Sequence, residues 1–277
     1  MASIIKAYDN KNEPIVEPGK GELDLVYFNV VRLTAGERLV LDLKGLETHF
    51  TPMSGRVDII VDEETFENIG KRDSVWDGPG ESVYAGTAEK VELVAHTDTE
   101  VAIAGMVCDR TFAPFFIPIE EIQTVDVGSN ETKSRRRISH LLGQNGNGRA
   151  GNLLISELYA DEGCWSGYPP HKHDTDGDGE TDHQEVYHYR LNPETGFGVQ
   201  FLYEDGDDMK AFATRNGDTA VIDKGYHPTA TSPQHQKYVF TILAGRTARG
   251  LVQRFETTHE YIAERIPGIK DMRAAFK

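Results

Sequence analysis

The densest chemistry in the 277-residue chain lies between residues 168 and 228. It runs as Tyr168-Pro169-Pro170-His171-Lys172-His173, an acidic stretch ending at Glu185, and Gly225-Tyr226-His227-Pro228. In a strand, residues two apart face the same side, so His171 and His173 converge while Lys172 points away. Glu185 opens the next apolar run, and His227 follows the turn Asn216-Gly217-Asp218 and the short apolar segment 219–222. Adjacent strands can bring the four side chains together. Neutral imidazole plus carboxylate suits a divalent transition metal, with Zn, Mn or Fe as the candidate ions. An ion that keeps open positions can act as a Lewis acid on a bound oxygen.

The same stretch satisfies a calcium-loop template, Asp174-x-Asp176-x-Asp178-Gly179 with Glu185 closing it. That chemistry needs a helix on each side. Gly163, Gly167, Pro169 and Pro170 precede the loop and a β-type run from Val186 follows, so the expectation is an acidic hairpin tip, with calcium not the functional ion.

Parity along the strand opened by Glu185 places Tyr187 and Tyr189 on its face, as candidate proton carriers, and turns Val186, His188 and Arg190 the other way. Gln200, a polar residue in an apolar run, is a candidate substrate contact. Arg190 is a candidate for pairing with a carboxylate on a bound ligand because of its bidentate fork, in spite of its parity. The basic run Lys133, Arg135, Arg136 and Arg137 reads as a solvated or interface face, and Cys164 as an inert thiol.

The elements that must position these groups are mostly β. Short apolar or alternating runs bounded by Gly, Asp, Asn and Pro cover 24–33, 37–42, 55–61, 81–84, 90–95 and 101–107 in the first half. In the second half they cover 152–159, 186–191, 198–203, 219–223 and 238–243. The polar, Gly/Asn-rich segment 128–151 reads as a junction between 1–130 and 131–277. A short C-terminal helix is expected over 257–266, stopped by Pro267.

The net charge of −16 disfavours nucleic acid and anionic membrane surfaces as partners. Two cysteines exclude a disulfide scaffold, and no apolar run approaches the ~20 residues of a membrane span, so a cytoplasmic location is expected.

The order and spacing of these motifs resemble the 5-deoxy-glucuronate isomerases of inositol catabolism, within the cupin superfamily. The resemblance rests on Trp165 to Asp174, Glu185 to Pro193 with Gly196 to Gln200, Lys224 to Pro228, and Leu243-Ala244-Gly245, with weaker similarity across the first half. It implies an all-β chain of two tandem cupin-type barrels. The first would be a metal-free barrel that serves packing and homo-oligomer formation. The second would hold the metal on His171, His173, Glu185 and His227. The implied activity is an aldose–ketose isomerisation of a small uronate, 5-deoxy-glucuronate, to 2-deoxy-5-keto-gluconate. A uronate ketol-isomerase of pectin breakdown and a non-catalytic sugar-binding cupin are the alternatives.

Overall fold

The computed structural model describes residues 3–275, and these form a nearly all-β structure with one short α-helix, Ile269–Ala275. The chain divides into two compact units. One comprises Asp9–Ile122 with Leu141–Ile155, and the other comprises the described residues up to Tyr8, Gln123–His140 and the described residues from Ser156 onward.

In the first unit a five-stranded sheet runs in the order Phe115–Ile117, Ser82–Gly86, Leu46–Ser54, Thr99–Val107, Val26–Leu33. A four-stranded sheet runs Arg38–Asp42, Lys90–Ala95, Val57–Val61, Glu64–Ile69. Their facing side chains, among them Val31, Phe50, Ile59, Val83, Leu93 and Ile103, make one continuous apolar core. The central strand Leu46–Ser54 was not evident from hydropathy because it buries Glu47, Thr48, His49 and Thr51. Burying a carboxylate is costly unless its oxygens are hydrogen-bonded. Glu47 accepts from the Tyr84 hydroxyl at 2.7 Å and from the backbone N–H groups of Gly151, Asn152 and Leu153 at 2.7–3.1 Å.

The second unit is built on a seven-stranded sheet in the order Ser3–Ile5, Thr219–Ile222, His183–Asn192, Gln236–Gly245, Leu153–Ala160, Arg136–Leu142, Gln123–Val127. A four-stranded sheet, Trp165–Ser166, Thr229–Thr231, Phe197–Leu202, Lys210–Arg215, and the pair His171–Lys172 with Arg254–Phe255 complete it. The strand pairs that frame the site are antiparallel. Side chains of Tyr187, Tyr189, Leu202, Ala220, Ile222 and Val239 form its core.

Two expectations need correction. The segment 128–151 is not all connector: Arg136–Leu142 is a strand whose residues alternate in exposure at its start, Arg135 and Arg137 outward and Arg136 buried. Charge had masked a period of two. The α-helix also lies after Pro267, not before it, and 260–264 forms only a 3-10 turn. Gly268, at φ +74°, makes the bend, its carbonyl accepts from the Met272 N–H at 3.0 Å, and the helix then packs Ile269 and Met272 on Val125, Val127 and Ile138.

Candidate metal centre and cavity

His171 sits on a two-residue strand paired with Arg254–Phe255, and His173 follows it directly. Glu185 is held in mid-sheet, opposite Ile222 on one neighbour and Leu243 on the other. His227 arrives through a bend at Gly225, whose φ of +89° suits glycine and where a Cβ would lie 2.6 Å from the Tyr203 carbonyl oxygen. All four expected ligands are therefore brought together, and each is at most 6% exposed.

The three imidazoles are oriented alike. The Nδ1–H of His171 donates to the Pro169 carbonyl at 3.1 Å, that of His173 to the His183 carbonyl at 3.0 Å, and that of His227 to the Gly225 carbonyl at 2.8 Å. Such bonds set the tautomer and leave each Nε2 with its lone pair directed inward. One nitrogen from each of the three rings lies within 4.8 Å of the others. Glu185 Oε2 is 3.2 Å from His173 Nε2 and 3.1 Å from His227 Nε2. The His227 Nε2 nevertheless makes no properly shaped hydrogen bond.

Three buried lone pairs and a carboxylate facing one point form a donor set for a cation. Burial pushes His171 well below its ordinary value, reinforced by His227 and His173. Burial would raise Glu185, but the imidazoles of His173 and His227 outweigh it and hold the carboxyl well below its usual range. His171 and Glu185 are thus held in the neutral and ionised states a metal requires, while burial of His173 is outweighed by its bond to the Glu185 carboxylate, which raises that imidazole from its ordinary value.

The centre opens on a small cavity of about 50 Å³, lined by His171, Glu185, Tyr187, Gln253, Arg136 and an apolar wall that includes Leu158 and Met272. Tyr187 therefore reaches the cavity, its ring 6.1 Å from that of His227. Burial, with Glu185 beside it, pushes its phenol well above the ordinary value, so it stays protonated. Tyr189 lies behind this layer and donates to Gln200 Oε1 at 2.7 Å. Gln200 in turn donates through Nε2 to the His227 carbonyl at 2.7 Å, so its amide braces the loop carrying that histidine. Arg190 is not brought to the centre. It lies on the opposite strand face, where its Nη1 contacts His188 Nε2, and His188 Nδ1 meets the Thr219 hydroxyl at 2.9 Å.

Two cavity residues escaped the sequence reading. Gln253 donates to His171 Nε2 at 3.0 Å from an irregular segment that carries no pattern. Arg136 could have been found by applying strand parity to the basic run. The acidic loop does not gather its carboxylates: Asp174 and Glu180 pair with Lys172, Asp176 accepts from Asp182 N–H and the Thr247 hydroxyl, and Asp182 pairs with Arg246.

Residues 5–262 match the KduI/IolB family profile. The chain belongs to the KduI/IolB family. The 5-deoxy-glucuronate isomerase of Bacillus subtilis strain 168 is 31% identical over 255 residues, covering 90% of this chain and 92% of that protein. The enzyme of the same name from Geobacillus thermodenitrificans is 32% identical over 252 residues, 90% of each chain. Among solved structures, an IolB-like protein from Salmonella typhimurium superposes with a TM-score of 0.86 at 28% identity, over 94% of this chain and 98% of that one. Bacillus subtilis oxalate decarboxylase shares the fold alone, with a TM-score of 0.58 at 11% identity over 99% of this chain and 86% of that one. The fold is cupin-like.

Proposed function

We propose that the protein is a metal-dependent aldose–ketose isomerase that converts 5-deoxy-glucuronate to 2-deoxy-5-keto-gluconate in inositol catabolism. We read its two units as tandem cupin-type barrels, the first structural and the second catalytic. The observation that carries the reading is the convergence of His171, His173, His227 and Glu185 at a cavity lined by a protonated phenol, in a chain of this family.

His171, His173, Glu185 and His227 would hold one divalent transition metal, Zn, Mn or Fe. Bound there, the ion supplies Lewis acidity to the aldehyde oxygen and the adjacent hydroxyl of the sugar. The isomerisation moves one hydrogen from the hydroxyl-bearing carbon to the aldehyde carbon, and one proton between the two oxygens. Tyr187 is assigned the oxygen-to-oxygen proton, because its phenol lines the cavity and remains a donor at neutral pH. Tyr189 and Gln200 act one layer back and fix the backbone that carries His227.

Incubation of the metal-loaded protein with 5-deoxy-glucuronate tests this reading. The expected result is formation of 2-deoxy-5-keto-gluconate, lost in His227→Ala together with the metal while the circular dichroism spectrum persists. Reversible sugar binding with no turnover by the metal-loaded wild type would replace the isomerase by a sugar-binding protein.

A further inference from the structure

Arg136 is 3% exposed and lines the same cavity as His171, Glu185 and Tyr187. Of the five N–H donors on a guanidinium, one on Nη1 goes to the Ser134 carbonyl at 2.9 Å and one on Nη2 to the Tyr168 carbonyl at 3.0 Å. Its outward neighbours Arg135 and Arg137 pair with Asp161 and Asp126. Among the described residues, no carboxylate lies within ion-pair distance of Arg136 itself. A buried cation with only carbonyl partners is expensive, because desolvation is offset by no opposite charge. Such a group persists where a ligand brings the missing charge.

We propose that Arg136 is the binding residue for the substrate's carboxylate, through guanidinium N–H groups not committed to Ser134 and Tyr168. This rests on the isomerase reading for the identity of the substrate and on the cavity for the site. The substrate's chemistry matches the lining. Its aldehyde and neighbouring hydroxyl suit the His171/Glu185 centre, and its carboxylate suits a planar, bidentate cation. The unsubstituted carbon beside that carboxylate suits the apolar side chains of Ile138, Leu158, Leu251 and Met272, which offer nothing to a hydroxyl. An anion also reaches a chain of net charge −16 only where the local field is positive, which Arg136 provides.

The test compares wild type, Arg136→Gln and Arg136→Lys, all metal-loaded, by steady-state kinetics on 5-deoxy-glucuronate, metal content, and calorimetric binding of gluconate against its uncharged counterpart glucitol. Arg136→Gln should raise KM by ~10–100-fold with metal content kept, weaken gluconate by a similar factor and leave glucitol unchanged. Arg136→Lys, which keeps the charge but not the fork, should fall between, and it carries the test if Arg136→Gln does not fold. An unchanged KM and unchanged gluconate affinity, with a lower Tm, would overturn the proposal and leave Arg136 as a brace for the Ser134 and Tyr168 carbonyls. Failure of the wild type to turn over the uronate would sink the isomerase reading alone, because the gluconate comparison still reports on Arg136.

Discussion

At the residue scale, the centre depends on small bonds made away from it. Each of the three histidines spends its Nδ1–H on a carbonyl from its own loop or from a neighbouring strand, and that choice aims Nε2 inward. The same logic separates the two tyrosines. Tyr187 faces the cavity, whereas the Tyr189 hydroxyl is spent on Gln200. Replacement of Tyr187 by Phe keeps the ring's packing and removes the hydroxyl, with its exchangeable proton and its bond to Glu185. It should lower kcat by ~10²–10⁴-fold, the usual worth of a positioned acid or base, while metal content and Tm stay near those of wild type. A loss of less than threefold, measured by turnover at saturating substrate, would assign the proton to another carrier.

At the scale of elements, the strand Gln236–Gly245 carries an anomaly next to its core residues. Lys237 is fully buried, with the Thr229 hydroxyl at 2.8 Å and the Tyr189 ring as its partners among the described residues. Burial lowers its ammonium from the ordinary lysine value to about 7. Between about pH 7 and the unfolded value near 10.4 the unfolded chain holds the proton that the folded chain has released, so this group makes stability rise with pH in that window. Lys237→Met removes both the buried charge and this dependence. Its Tm should exceed that of wild type at pH 7 by ~2–4 °C for each kcal/mol of relieved desolvation, and the advantage should shrink toward pH 10. Thermal melts across that range check the sign, and a Tm below wild type at pH 7 would show that the Thr229 contact outweighs the burial cost.

For the whole molecule, an ion held at this centre by the folded chain alone would link metal binding to stability by mass action, ~4 kcal/mol at a thousandfold excess over Kd. Removal of the ion by a chelator should abolish turnover and lower Tm by several degrees, and Zn, Mn or Fe(II) should restore both. Calcium should not, since Asp174 and Glu180 are taken by Lys172, Asp176 by Thr247 and Asp182 by Arg246. Recovery of activity with calcium alone would reverse the assignment. Much of this was legible from residues alone. The β character followed from period-two patterning, and the convergence of His171, His173, Glu185 and His227 from an HxH pair with a carboxylate and a third histidine at strand-compatible spacing. The parity of Glu185 separated Tyr187 from Arg190, since alternation along an extended chain is a local property. Other features depend on contacts distant in sequence. The polar strand Leu46–Ser54 is buried only because Glu47 meets backbone donors about a hundred residues away. Gln200 is spent on Tyr189 and the His227 loop, and Gln253 reaches His171 from an irregular segment. Arg136 sits between the two: its inward turn was readable from alternation within the basic run, but its burial without a carboxylate partner exists only in the folded sheet. Local geometry is written in the order of residues. Which polar groups find partners, and which stay available for a ligand, is decided when distant strands meet.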